Sequence, residues 1–169
     1  MNSFAIDFNL NHGFCNLSLR TDVDSISLRG HWISDRLPDL LNCVESLLDG
    51  TEAVCCRWQG PIQEGHFIDL VRDPEGGVSI AVSEFRYSDG ATAAEIWSAE
   101  RGTLRFRANL PLNDFAITFA AALRRVRSTA VGVTGLLTEY PRPFPQSLFE
   151  AIEQKAARLG YKPSADLAV

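Results

Sequence analysis

Apolar and polar residues alternate over the first thirty positions, and a period of two marks half-buried strands. Phe4, Ile6, Phe8 and Leu10 fall on one side of an extended chain, with Asp7 and Asn9 on the other. Asn11-His12-Gly13 is a turn signal. Beyond it Cys15, Leu17 and Leu19 predict a second strand, and Ile26 and Leu28, extending toward Trp32, a third. The opening reads as a β-meander. The period then changes. Leu37, Leu40, Leu41, Val44, Leu47 and Leu48 recur at three and four residues, which predicts a helix with one apolar stripe lying on a sheet. Ser34 or Asp35 caps its start, Pro38 is tolerated in its first turn, and Gly50 suits a left-handed end.

A second run of strands follows. Ala53 to Trp58 is one, His66 to Arg72 another, and Asp73-Pro74-Glu75-Gly76-Gly77 turns the chain into a third from Val78 to Tyr87. Val78, Ile80 and Val82 share a face that Phe85 and Tyr87 do not. A β-bulge near Ser83-Glu84 is expected to bring both sets to the core, because one inserted residue shifts the facing. Ser88-Asp89-Gly90 leads into a strand over Ala93 to Ala99. The cleanest alternation comes next: Leu104, Phe106, Ala108 and Leu110 face in, while Thr103, Arg105, Arg107 and Asn109 face out.

Pro111 ends that strand. Asn113 or Asp114 then caps a helix bearing Phe115, Phe119, Leu123 and Val126, closed by arginines that suit the negative end of its dipole. Ala130 to Thr138 carries no clear period, and Tyr140-Pro141-Arg142-Pro143-Phe144-Pro145 is extended or turned. Leu148, Phe149, Ile152, Ala156 and Leu159 form the face of a last helix ending at Gly160. The prediction is one α+β domain over residues 1–169, a mostly antiparallel, meandering sheet with about three helices packed against it and a frayed tail at 163–169.

Charge adds a second layer. Residues 35–100 carry thirteen carboxylates against four arginines, a net of −9, whereas residues 101–169 carry a net of +5 and the whole chain −5. Such an imbalance bears on partners and association rates. An acidic face attracts basic proteins and repels nucleic acid, so Arg124, Arg125 and Arg127 read as a helix-end cluster and not as a nucleic-acid site. Arg105 and Arg107 are expected to neutralise carboxylates on a neighbouring strand, such as Glu95. No apolar run reaches the ~18 residues of a membrane span. The N-terminus lacks the basic and apolar regions of a signal peptide. With four cysteines and no CxxC pair, the thiols read as free and the compartment as the cytoplasm. Cys55 and Cys56 are adjacent, point to opposite faces of a strand, and are not expected to cooperate.

Motifs for catalysis are sparse. His12, His31 and His66 are dispersed, and HExxH, the Walker loop and GxSxG are absent. Gly132-Val133-Thr134-Gly135 lacks the third glycine of a phosphate loop. Asp22 and Asp24 share a side of an extended segment and can be read as a divalent-cation pair or as a solvated turn. His66 beside Glu64 can be read as a base with its orienting carboxylate or as a structural histidine at a strand edge. No metal or cofactor is expected. The residues that stand out lie between the two main helices: Asp69, Glu84 and Glu95 with Trp58, Trp97 and Tyr87. Tryptophan and tyrosine amid carboxylates make an anchor-and-rim composition for a basic protein partner, unless those aromatics fill the core.

The succession of an amphipathic helix, an acidic Trp-bearing meander, a helix opened after Leu110-Pro111-Leu112, and Tyr140-Pro141-Arg142-Pro143-Phe144-Pro145 resembles small bacterial α+β proteins of the polymorphic-toxin immunity type. The resemblance spans most of residues 35–155. It implies a stoichiometric inhibitor that binds a cognate toxin and blocks its active site, and its motifs specify no catalytic residue to carry over. The expectation is therefore a non-enzymatic cytosolic binding protein with an acidic sheet surface. The alternatives are a small enzyme or ligand-binding domain with a pocket around His66 and Glu64, or a subunit of a homo-oligomer that buries those aromatics in its own interface.

Overall fold

The computed structural model describes residues 3–11, 14–31, 36–60, 64–88, 90–132 and 144–162. The N-terminal alternation folds as expected into β1 (Ala5–Asn11), β2 (Phe14–Arg20) and β3 (Ser25–His31), an antiparallel meander. Ile6 pairs with Leu19, and Leu17 with both Phe8 and Leu28, so the apolar positions of all three strands share one face. The leucine stripe forms α1 (Arg36–Leu48), with Leu37, Leu40, Leu41, Val44 and Leu47 buried. Gly50 closes it in the left-handed conformation, φ 108°. A second meander follows: β4 (Ala53–Gln59), β5 (Glu64–Arg72), β6 (Gly77–Arg86) and β7 (Leu104–Pro111), all antiparallel in that order.

Between β6 and β7 the expected strand over Ala93–Ala99 is instead a short helix, α2 (Ala93–Trp97). Thr92 accepts from the Glu95 amide through its hydroxyl, and the Glu95 carboxylate accepts from the Thr92 amide at 2.7 Å. That reciprocal capping box satisfies two amides that a strand would have paired with a neighbour. α3 (Leu112–Gly132) starts directly from the end of β7, ahead of the expected caps Asn113 and Asp114. It also runs past Arg127, so the arginines lie inside the helix and not in its last turn. α4 (Gln146–Arg158) is the expected last helix. The turn at His12-Gly13, Trp32, the α1 cap at Ser34-Asp35, residues 133–143 and the tail at 163–169 fall outside the described residues.

Seven strands and four helices among the described residues make an α+β fold, with two antiparallel sheets where one was expected. One core joins them. Cys56, Trp58, Ile68, Leu70, Val78, Ile80, Val82, Phe106 and Ala108 supply the inner face of the four-stranded sheet. α1 lies along β4, α3 reaches β6, β7 and β1, and α4 packs against both helices. Phe8 of β1 meets Phe119 of α3 edge-on, with centroids 5.6 Å apart. β3 runs against β4 and β7, where Gly30 leaves room for the Trp58 indole.

The bulge lies where expected, but on the partner strand. Val82 pairs with Phe106 and Ser83 with Leu104, so Arg105 of β7 is the extra residue. β6 itself stays in register with β5 throughout. Phe85 and Tyr87 therefore remain on the outer face, away from Val78, Ile80 and Val82. The same slip turns Leu104 outward, 46% exposed, where alternation alone placed it inside.

Candidate functional site

The outer face of the four-stranded sheet is half covered. Phe67 and Phe85 are buried there under Ile96 of α2, with Cys55, Tyr87, Ala91 and Ala99 around them. The two phenyl rings lie 4.5 Å apart. The chain leaving α2 brings Arg101 over the Phe67 ring at 4.6 Å. The Arg101 guanidinium makes a two-pronged contact with Asp69, 2.6 and 3.1 Å, and donates to the Cys55 sulfur at 3.3 Å. A fork of this kind is the strong form of an arginine–carboxylate pair. It fastens the α2 segment down.

The six partner-binding candidates do not assemble into one exposed surface. Trp58 is completely buried on the inner face, so its indole is core. Trp97 and Glu95 lie on α2, not on a strand, and the Glu95 carboxylate is occupied by its capping box. Asp69 holds Arg101. Glu84 holds Arg105 at 2.7 Å, the pairing that had been expected for Glu95. Tyr87 is half-buried and donates its hydroxyl to the Gly60 carbonyl at 3.3 Å.

His66 sits opposite Glu84 across β5–β6 and opposite Trp58 across β4–β5. Burial pushes its pKa down, against the raising influence of Glu84 and Glu64. Glu64 itself reaches Arg86 at 3.8 Å. Asp22 accepts from the Ser3 amide at 2.9 Å, while Asp24 accepts from the Ser25 amide at 2.8 Å, so the two carboxylates serve different partners in a turn. Among the described residues, no group of three or more His, Cys, Asp or Glu is placed to hold a metal ion. No described helix is long and apolar enough to cross a membrane.

The charge segregation along the chain is largely undone by folding. Arg101 and Arg105, from the basic segment, neutralise Asp69 and Glu84 of the acidic one. Lys155 of α4 bridges Glu45 of α1 and Asp49 just beyond it at 2.9 and 2.8 Å. One acidic region escapes. Glu52 precedes β4, Asp73 and Glu75 lie in the β5–β6 turn, and Asp114 follows β7, all at the same end of the four-stranded sheet. Among the described residues, no ion pair engages any of the four. Arg72, at the end of β5, donates to the Leu47 carbonyl at 3.4 Å. The backbone here is tied together: Arg72 N–H to the Glu52 carbonyl, 2.7 Å, Gly76 N–H to Asp73, 3.0 Å, and Leu112 N–H to Gly76, 3.0 Å. Neighbouring strands are about 4.8 Å apart, so the ends of the four strands next to these residues span roughly 15 Å. Val71, 44% exposed, lies beside them.

Comparison with protein-family models, with curated proteins and with solved structures found no match.

Asp22 lies below its ordinary range through hydrogen bonds from Ser3, Glu84 through the Arg105 guanidinium, and Glu95 through the Thr92 cap. A folded-state pKa below the unfolded one contributes stability that is complete above the unfolded value and is lost as pH falls through the folded one. Unfolded carboxylates titrate near 4. The urea midpoint is therefore expected to hold steady above about pH 5 and to fall below about pH 4. Glu84→Gln should shallow that acid decline, and parallel curves for wild type and variant would show that the Arg105 pair contributes nothing to it.

Proposed function

We propose that this chain is a non-enzymatic binding protein of the cytoplasm, an inhibitor of the immunity type, and that it meets a basic protein partner through the acidic end of the four-stranded sheet. The observation that carries this reading is the contrast between two sets of carboxylates. Asp69 and Glu84 are paired with arginines and Glu95 caps α2, whereas Glu52, Asp73, Glu75 and Asp114 have no ion pair among the described residues, Asp73 accepting the Glu75 amide at 2.9 Å. A cluster of one sign speeds encounter with an oppositely charged partner and rejects partners of like charge. Val71 adds an apolar contact at its edge. The four cysteines are unpaired thiols, which suits a reducing compartment.

The test begins with capture of the partner by tagged protein at low and high salt. The triple reversal Glu52→Lys, Asp73→Lys and Glu75→Lys is then compared with Glu150→Lys on α4. The triple variant is expected to slow association by about tenfold or more and to flatten its salt dependence. Equal rates for wild type and the triple variant would sink the assignment.

A further inference from the structure

The four thiols are not equivalent. Cys15 is buried within the three-stranded meander, far along the chain from the others. Cys55 faces the outer side of its sheet, where Arg101 holds its sulfur. Cys56 faces the inner side, 1% exposed, toward the helix that lies along β4. Cys43 is on that helix, half-buried at the flank of the leucine stripe, and its thiol donates to the Cys55 carbonyl at 3.5 Å. This contact fixes Cys43 at the level of the Cys55–Cys56 peptide. Cys56, the next residue, turns its side chain into the same contact between α1 and β4.

We infer that Cys43 and Cys56 form a dithiol that hydrogen peroxide oxidises to a disulfide joining α1 to β4. Cys43 is the attacking thiol because it is the one of the pair that solvent reaches, while Cys56 is the resolving thiol behind it. The Cys43 thiolate displaces hydroxide from the peroxide, the O–O bond breaks, and a sulfenic acid forms. The Cys56 sulfur then attacks the Cys43 sulfur, the S–OH bond breaks, and the departing hydroxide takes the Cys56 proton. Two thiols and one hydrogen peroxide give one disulfide and two waters.

The ionisation order agrees with these roles. Its neighbour Cys56 draws the Cys43 thiol below its usual range, against the raising effects of burial and Asp39, while Cys43 and burial push Cys56 up. Burial pushes Cys15 up to about 12, and burial with Asp69 pushes Cys55 up to about 12. Thiolate character and access together decide which thiol peroxide finds first.

The test treats reduced full-length protein with one equivalent of hydrogen peroxide. Free thiols are then blocked with a light alkylating reagent, disulfides are reduced, and the released thiols take a heavy one. A glutamyl endopeptidase cutting after Glu45 and Glu52 separates Cys43 from Cys55 and Cys56. The heavy label is expected on Cys43 and Cys56 in wild type and in Cys55→Ser. Cys56→Ser should lose the link and leave a Cys43 sulfenic acid that dimedone captures. A link that persists in Cys56→Ser, a link between two molecules, or a light label on Cys43 in oxidised wild type would each overturn the assignment. The wild-type labelling reads the outcome even if Cys56→Ser fails to fold.

Discussion

Truncating Trp58 to Ala is expected to remove about 3–5 kcal/mol of unfolding free energy, the range for emptying a buried aromatic site. The side chain is completely buried, faces His66 across the β4–β5 ladder, and lies against β3 at Gly30. It thus sits where the two sheets meet. Its loss opens a cavity against the β3 backbone at Gly30, which cannot collapse cheaply. Trp58→Phe is expected to cost much less. It keeps an aromatic ring in the site and removes an indole N–H that has no hydrogen-bond partner among the described residues. Urea unfolding at constant pH gives both numbers. If Trp58→Ala unfolds like wild type yet binds its partner poorly, the indole is an anchor and its buried placement is wrong.

Gly30→Ala is the second large effect, about 1–3 kcal/mol through overpacking. A methyl group there would lie 2.8 Å from the Cys15 carbonyl and 2.9 Å from the indole of Trp58. Neither neighbour has room to yield, since one is β2 backbone and the other a buried ring. The two substitutions should also be non-additive. On a Trp58→Phe background the Gly30→Ala penalty is expected to shrink, because the smaller ring frees one side of the clash, but not to vanish, because Cys15 remains. A double-mutant cycle measures that coupling. A Gly30→Ala penalty that is equal on both backgrounds would mean that the ring is not the constraint.

These two residues mark the boundary of what the sequence made legible. β1, β2, α1 and α4 could be read from period alone, because each buries one face or one stripe. The contact that sets Gly30 against Trp58 joins elements from different meanders, and no local pattern announces it. α2 was misread for a different reason. Five residues are too few to show a helical period, and the available signal was chemical: Thr92-Ala93-Ala94-Glu95 has the spacing of a capping box. Reading α2 as helix would have explained why Phe85 and Tyr87 can remain on the outer face without a bulge in β6. The charge map failed most instructively. Asp69 and Arg101 are 32 residues apart, and Glu84 and Arg105 are 21. Only the register of the sheet and the path of the α2 segment bring them together. The carboxylates that remain without ion pairs were also in plain view, as turn residues at strand ends, but facing and folding had to be known before they could be separated from the rest.

The packing of α3 on β1 carries a consequence for how this chain comes into being. Arg125 donates to the Ile6 carbonyl, a contact closing over 119 residues. A ribosome adding about 5–20 residues per second takes roughly 6–24 s between those two positions. For most of that interval, from His31 onward, the first meander has been made, with Ile6, Phe8, Leu17 and Leu19 on one side of it, and the helix that covers them has not been completed. The acidic stretch is made in the same window, ahead of Arg101, Arg105 and Lys155, which neutralise part of it in the folded chain. The wall over that face comes only when α3 leaves the exit tunnel, and Lys155 of α4, which bridges Glu45 and Asp49, follows later still.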